Sequence, residues 1–172
     1  MLICVSSLLA VPQGFQRVLE TLGQARTEGA RLHEIPSPRS ADFSVALALD
    51  SIDGVDAFGR FVVLFGGDFE DAYESPVRIV TMLESPIDAE VAADPTARSV
   101  FWSFLHDAFD STGASVRALG GSVSIESTQS FPEIDRSELQ HRVQIRASWS
   151  PKCENVADDL EAWILLARRI QV

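Results

Sequence analysis

The run from His141 to Pro151 reads His-Arg-Val-Gln-Ile-Arg-Ala-Ser-Trp-Ser-Pro. His141, Val143, Ile145, Ala147 and Trp149 share one parity, and Arg142, Gln144, Arg146 and Ser148 share the other. A period of two is the mark of a strand with one buried face. It predicts Trp149 in the core and sets the arginines on the far side. Proline ends the run, and a helical pattern follows from about Asn155. Val156, Leu160, Trp163, Ile164 and Ala167 form its apolar stripe. Asp158, Asp159 and Glu161 near its start and Arg168 and Arg169 near its end oppose the helix dipole.

The other segments are read in the same way. Phe15, Val18, Leu19, Leu22 and Ala25 predict an amphipathic helix from Pro12 to near Gly29. Pro36 and Pro38 then break the chain. Phe43, Val45, Leu47 and Leu49 alternate as a strand, and Asp53-Gly54 marks a turn. Arg60 to Phe65 and Val77 to Glu84 are apolar on both parities, as central strands are. Asp94-Pro95 opens a helix striped by Ala97, Val100, Phe101, Phe104, Leu105 and Ala108, which Gly113 ends. A strand follows Gly120-Gly121 through Val123 and Ile125 toward Phe131, and Pro132 to Glu138 is a polar turn. The predicted order is α-β-β-β-α-β-β-α. The expected class is α+β: two layers, with a mainly antiparallel five-stranded sheet and helices.

The 172 residues suit one domain, placed at 12–172, with 1–11 as an N-terminal extension. The start, Met1 to Val11, is apolar but has no basic residue and is too short to span a bilayer. Cys4 and Cys153 could form a disulfide, but nothing requires it; they are read as reduced thiols of a cytoplasmic protein. The formal net charge is −11, so nucleic acid is not an expected partner, and neither is a membrane. Of the 14 basic residues only Lys152 is lysine, a bias of GC-rich coding rather than of phosphate recognition.

Motifs for chemistry are sparse. Gly66-Gly67-Asp68-Phe69-Glu70 resembles a scrambled GGDEF signature of diguanylate cyclases, but phenylalanine separates the acids. With Asp71 and Glu74 the segment 66–75 is read as a solvated acidic loop, because calcium-loop spacing is absent. His33 falls near a proline-rich turn, and His141 on the apolar parity of its strand. His106 and Asp110 have ligand-compatible spacing on one helix face, but no second pair completes a metal site. No P-loop, nucleophile elbow, zinc-protease or dinucleotide motif is present. No catalytic residue, metal or cofactor is expected.

What stands out is one face of the predicted sheet. Arg60, Val62, Leu64, Arg78, Val80, Met82, Arg142, Gln144 and Arg146 fall on it. An apolar centre rimmed by arginine has the composition of an interface, for a homodimer or for a protein or peptide partner. One of the chain's own helices would fit there equally well. The alternative is a small-ligand protein or enzyme with a pocket between sheet and helices, where His106, Asp110 and Arg146 would be the first polar groups.

Five stretches carry a family resemblance: EIPSP (34–38), GRFVVLF (59–65), AEVAADPTARSVFWSFLHDAFDSTGA (89–114), GGSVSIESTQSF (120–131) and IRASWSP (145–151). In that order, over residues 12 to 168, the chain resembles the "domain of unknown function 3000" family of GC-rich bacteria. The resemblance implies a small cytoplasmic bacterial protein and brings no catalytic residues. Segment 66–75 departs from the family pattern. The predicted element order is also similar, at fold level alone, to type III secretion chaperones, which implies a chaperone-like, usually dimeric, acidic protein.

Overall fold

The computed structural model describes residues 11–129, 131 and 139–171. The chain opens with helix α1 (Gln13–Leu22), then strands β1 (Ala30–Ile35), β2 (Phe43–Ile52) and β3 (Val55–Phe65). Helix α2 (Gly67–Tyr73) leads to β4 (Val77–Ile87), and α3 (Ala89–Ala93) to α4 (Ala97–Thr112). The hairpin β5 (Val116–Gln129) and β6 (Leu139–Pro151) precedes the last helix, α5 (Ala157–Arg169). Among the described residues, the strands form one antiparallel sheet in the order β1-β2-β3-β4-β6-β5. The class is α+β, as expected. Among the described residues the sheet has six strands rather than five, and five helices accompany it.

The extra strand is β1, hidden in the sequence by the prolines that follow it. It lies at the sheet edge beside β2 and offers Ala30 and Leu32 to the core, while Glu34 takes the next core-side position. Pro36 stops this strand; it does not mark a break without structure. Helix α1 ends at Leu22, short of Gly29, because Gly23, Gln24 and Ala25 turn back to carbonyls of its last turn. Ala25 still packs on the core from outside the helix. The Asp53-Gly54 turn is as expected: both residues adopt positive φ, the geometry of a tight two-residue hairpin.

Asp94 does open the next helical segment, through a preliminary turn. Its Oδ1 accepts both the Thr96 N–H and the Thr96 hydroxyl, each at 2.7 Å. Those bonds hold its carboxyl below the usual range. The regular helix begins only at Ala97. On α4, Val100 is 44% exposed and leaves the predicted stripe, while Phe109 joins it. Gly113 ends the helix with φ 80°.

The core-side parity of the strands and the buried stripes of α1, α4 and α5 form a single cluster. Phe61 is at its centre, with ring centroids 5.5 Å from Trp163 and 6.3 Å from Trp149. Phe109 of α4 meets Trp149 at 5.0 Å. Trp149 is buried, as the alternation of 141–151 requires.

The glycine pair does not precede a strand; it lies inside β5. A β-carbon on Gly121 would collide with the Arg146 carbonyl oxygen and stand 2.9 Å from the Ala147 Cα. Both obstacles are backbone and cannot swing aside. Gly121→Ala is therefore expected to destabilise the fold by about 1–3 kcal/mol, as overpacking does. Gly120→Ala, whose β-carbon would meet nothing within 4 Å, is expected to keep stability or raise it slightly. Denaturant midpoints of the two variants measure the contrast. Equal midpoints would show that β5 does not approach β6 so closely.

Candidate functional site

The parity opposite the core carries the candidate site. Register fixes its rows across the strands. Arg60, Met82 and Arg146 lie side by side on β3, β4 and β6. The next row is Val62, Val80, Ser148 and Gly120, reaching β5. Val62, Val80 and Met82 thus form an apolar floor, with a guanidinium on either side of Met82. Arg60 and Arg146 stand two strands apart, so their Cα atoms are about 10 Å apart. Val80 sits on a central strand yet is 41% exposed. A groove of about 360 Å³ runs over these rows. The sequence had predicted that a helix or a partner would cover this floor; among the described residues it is open.

The nine predicted face residues are divided by their neighbours. Arg60, Val62, Val80, Met82 and Arg146 line the groove. Arg142 and Gln144 lie further along β6 and are spent on Glu84, at 2.8 and 3.2 Å. Leu64 and Arg78 lie at the other end and are buried. Arg78 donates to the Ala118 carbonyl at 3.0 Å and to Ser148 Oγ at 2.7 Å, and its guanidinium stacks 4.2 Å above the Tyr73 ring. Burial lowers its pKa from the usual arginine value.

Arg60 and Arg146 differ from these. Both are exposed, and neither forms an ion pair among the described residues. Among the described residues, Arg60 meets the Phe58 ring, 5.9 Å from its guanidinium carbon. Two cations without an ion pair among the described residues, over an apolar floor and in a chain of net charge −11, make a local exception to the acidic balance.

The alternative trio does not assemble. His106 and Asp110 are exposed on α4, His106 against the Trp102 ring at 6.0 Å. Helix α4 packs on the core side, through Phe109 against Trp149, while Arg146 lines the groove on the opposite side. The acidic segment 66–75 is also not a plain loop. Its first part is the short helix α2, with Asp68 and Glu70 in the first turn, and Glu74 pairs with Arg117 at 3.0 Å. Sequence reasoning missed this helix because seven residues beginning with glycine carry no apolar period. His33 lies on β1, 3.0 Å from Asp50, and His141 is half-buried with Nδ1 2.7 Å from Ser127 Oγ.

No group of three or more His, Cys, Asp or Glu residues is poised for a metal among the described residues. Cys153 is exposed and forms no disulfide among the described residues; Cys4 and the predicted polar turn 132–138 lie outside them. No helix among the described residues is long and apolar enough to cross a membrane. The interior holds one buried acid that the sequence had assigned to the helix dipole. Asp159, 2% exposed, accepts the Trp149 indole N–H at 2.6 Å. Burial pushes its carboxyl up to about 7, against the opposing effect of that bond.

The family model described as "Protein of unknown function (DUF3000)" matches residues 11–170. No curated protein and no solved structure matches the chain. The element order that suggested a likeness to secretion chaperones is not the order found, since β1, α2 and α3 interrupt it.

Proposed function

The chain belongs to the DUF3000 family, a family of unknown function, and from that premise we propose that it is a non-enzymatic interaction module. In this reading the domain has two layers, with α1, α4 and α5 covering one face of the sheet. The other face holds an acidic, partly apolar segment of another protein, in the manner of a chaperone. The observation that carries the reading is the pair Arg60 and Arg146, without acidic partners among the described residues, flanking Val62, Val80 and Met82. Guanidinium is weakly hydrated and matches carboxylate geometry, so it suits an interface that must release water.

Charge argues for a foreign partner over a second copy. A two-fold interface through this face would set the arginines of one copy against those of the other. Like charges in such a juxtaposition oppose association, whereas carboxylates would favour it. In this reading the place of action is the cytoplasm, where a thiol such as that of the exposed Cys153 stays reduced. A second reading is favoured by the groove volume of about 360 Å³. That size falls within the range of small-molecule pockets, roughly 300–1,000 Å³, and would suit a small anion with an apolar body.

Site-directed photo-crosslinking in cells tests the proposal. A photoreactive residue at Val80 is expected to trap a discrete protein, with the adduct on a stretch that mixes acidic and apolar residues. The same residue at Val100, exposed on α4, is the control and is expected to trap none. An adduct only with a second copy of the chain, or none at all, would overturn the reading.

A further inference from the structure

We infer that the notch above Gly120 is the specificity pocket of this groove, seating one apolar side chain of the bound segment while Arg60 and Arg146 take a carboxylate beside it. The inference rests on the interaction reading above and deepens it. Its starting point is a glycine with no structural reason to be one. Gly121 is required by the close backbone of β6, and Gly29, Gly54 and Gly113 by positive φ. Gly120 has neither constraint: its φ lies outside the left-handed region, and a β-carbon there would enter open space. A strand interior ordinarily loses stability through glycine, because the residue gives up entropy and packs no side chain. The absent side chain leaves a space that the groove extends into.

The surroundings shape that space. The row falls in height from Val62 and Val80 to the small Ser148 and then to Gly120. Just before it the register of β5 shifts between Arg117 and Gly120, and Ala118 adopts φ 46°. Such a bulge bends a strand and re-aims its neighbours. Arg78 fixes both sides of the irregularity, bonding the Ala118 carbonyl and Ser148 Oγ. Arg78 does not itself line the groove, whereas Arg60 and Arg146 do, so the anion falls to those two. An apolar wall at Val80, an empty position at Gly120 and free guanidinia in the next row fit a carboxylate joined to a bulky apolar group.

The probe is 3-phenylpropionate, which joins a ring to a carboxylate, titrated into the full isotope-labelled chain and followed by amide shifts. It is expected to shift Gly120, Ser148 and Val80 saturably. Propionate and 3-phenylpropylamine are expected to bind at least about tenfold more weakly, a difference of one decade in affinity. Gly120→Val should weaken 3-phenylpropionate by about tenfold or more while the denaturation midpoint is kept. Gly120→Ala, a smaller filling, should fall between. Equal binding by both Gly120 variants, equal binding by the amine, or shifts away from the notch would overturn the assignment. A trapped partner at Val80 without phenylpropionate at the notch removes the pocket alone. Phenylpropionate at the notch without a trapped protein keeps the pocket and removes the protein partner.

Discussion

Trp149→Ala is expected to destabilise the protein by about 3–5 kcal/mol, the range for deleting a buried tryptophan side chain. The ring has no exposed surface. It is wedged between Phe61 and Phe109, at 6.3 and 5.0 Å, so the sheet and α4 meet through it. A cavity there is bounded by two elements that other contacts hold apart, and it collapses poorly. The indole N–H adds a second loss, because Asp159 accepts it at 2.6 Å in a buried site. Trp149→Phe separates the two effects by keeping a ring and removing the donor. Its cost is expected to be smaller than that of alanine and to grow above pH 7, where Asp159 ionises. Denaturant midpoints measure both variants. An unchanged midpoint for alanine would mean that the faces of β6 are assigned wrongly.

Stability is also expected to fall as pH rises from about 4 to about 7, through Asp159. Desolvation raises its folded pKa to about 7, the Trp149 bond pulls the other way, and nearby Asp158 raises it further. In the unfolded chain an aspartate titrates near ~3.9. Between those values the folded state binds more protons than the unfolded state, so stability decreases with pH. The contribution is fully present below about pH 4, is lost through the folded pKa, and is flat above it. At about 1.4 kcal/mol per pH unit, the window spans roughly 4 kcal/mol. Asp159→Asn retains an acceptor for the indole and cannot ionise. The difference in unfolding free energy between the native chain and this variant isolates the effect from other titrating groups. The variant is expected to gain on the native chain from pH 4 to 7 and to be the more stable at pH 8. A difference that does not change with pH would show that Asp159 is not buried as described.

Much of this architecture can be read from residue patterns, and the failures share a physical cause. Strands with a continuous buried face announce themselves: Val143, Ile145, Ala147 and Trp149 all lie in the core, as do Phe61, Val63, Val77, Ile79 and Leu83. Elements that bury little do not. Edge strand β1 and the short helices α2 and α3 are too short or too polar to show a period. Punctuation misleads for the same reason. Gly120-Gly121 looks like a turn, but Gly121 answers a close approach between strands that only the register reveals. Asp159 sits in the first turn of α5, where an acid is expected to be solvated, and it points instead at an indole 10 residues away.

The candidate face follows the same division. Parity alone places Arg60, Val62, Val80, Met82 and Arg146 together, and the register confirms that they form adjoining rows. Parity does not reveal which arginines are already engaged. Glu84 binds Arg142, and Ser148 with the Ala118 carbonyl binds Arg78, through contacts between residues 40 to 70 positions apart. Subtracting these leaves the two exposed guanidinia around Met82. The proposed role depends on those two.

Charge reversal in the crosslinked protein tests this dependence most directly. The chain carrying a photoreactive residue at Val80 is compared with the same chain carrying Arg60→Glu and Arg146→Glu. Both substitutions lie on exposed side chains without ion pairs among the described residues, so folding is expected to be kept. The account predicts that the adduct with the acidic partner disappears in the reversed chain while the denaturation midpoint stays. An adduct of the same protein at the same yield would contradict it.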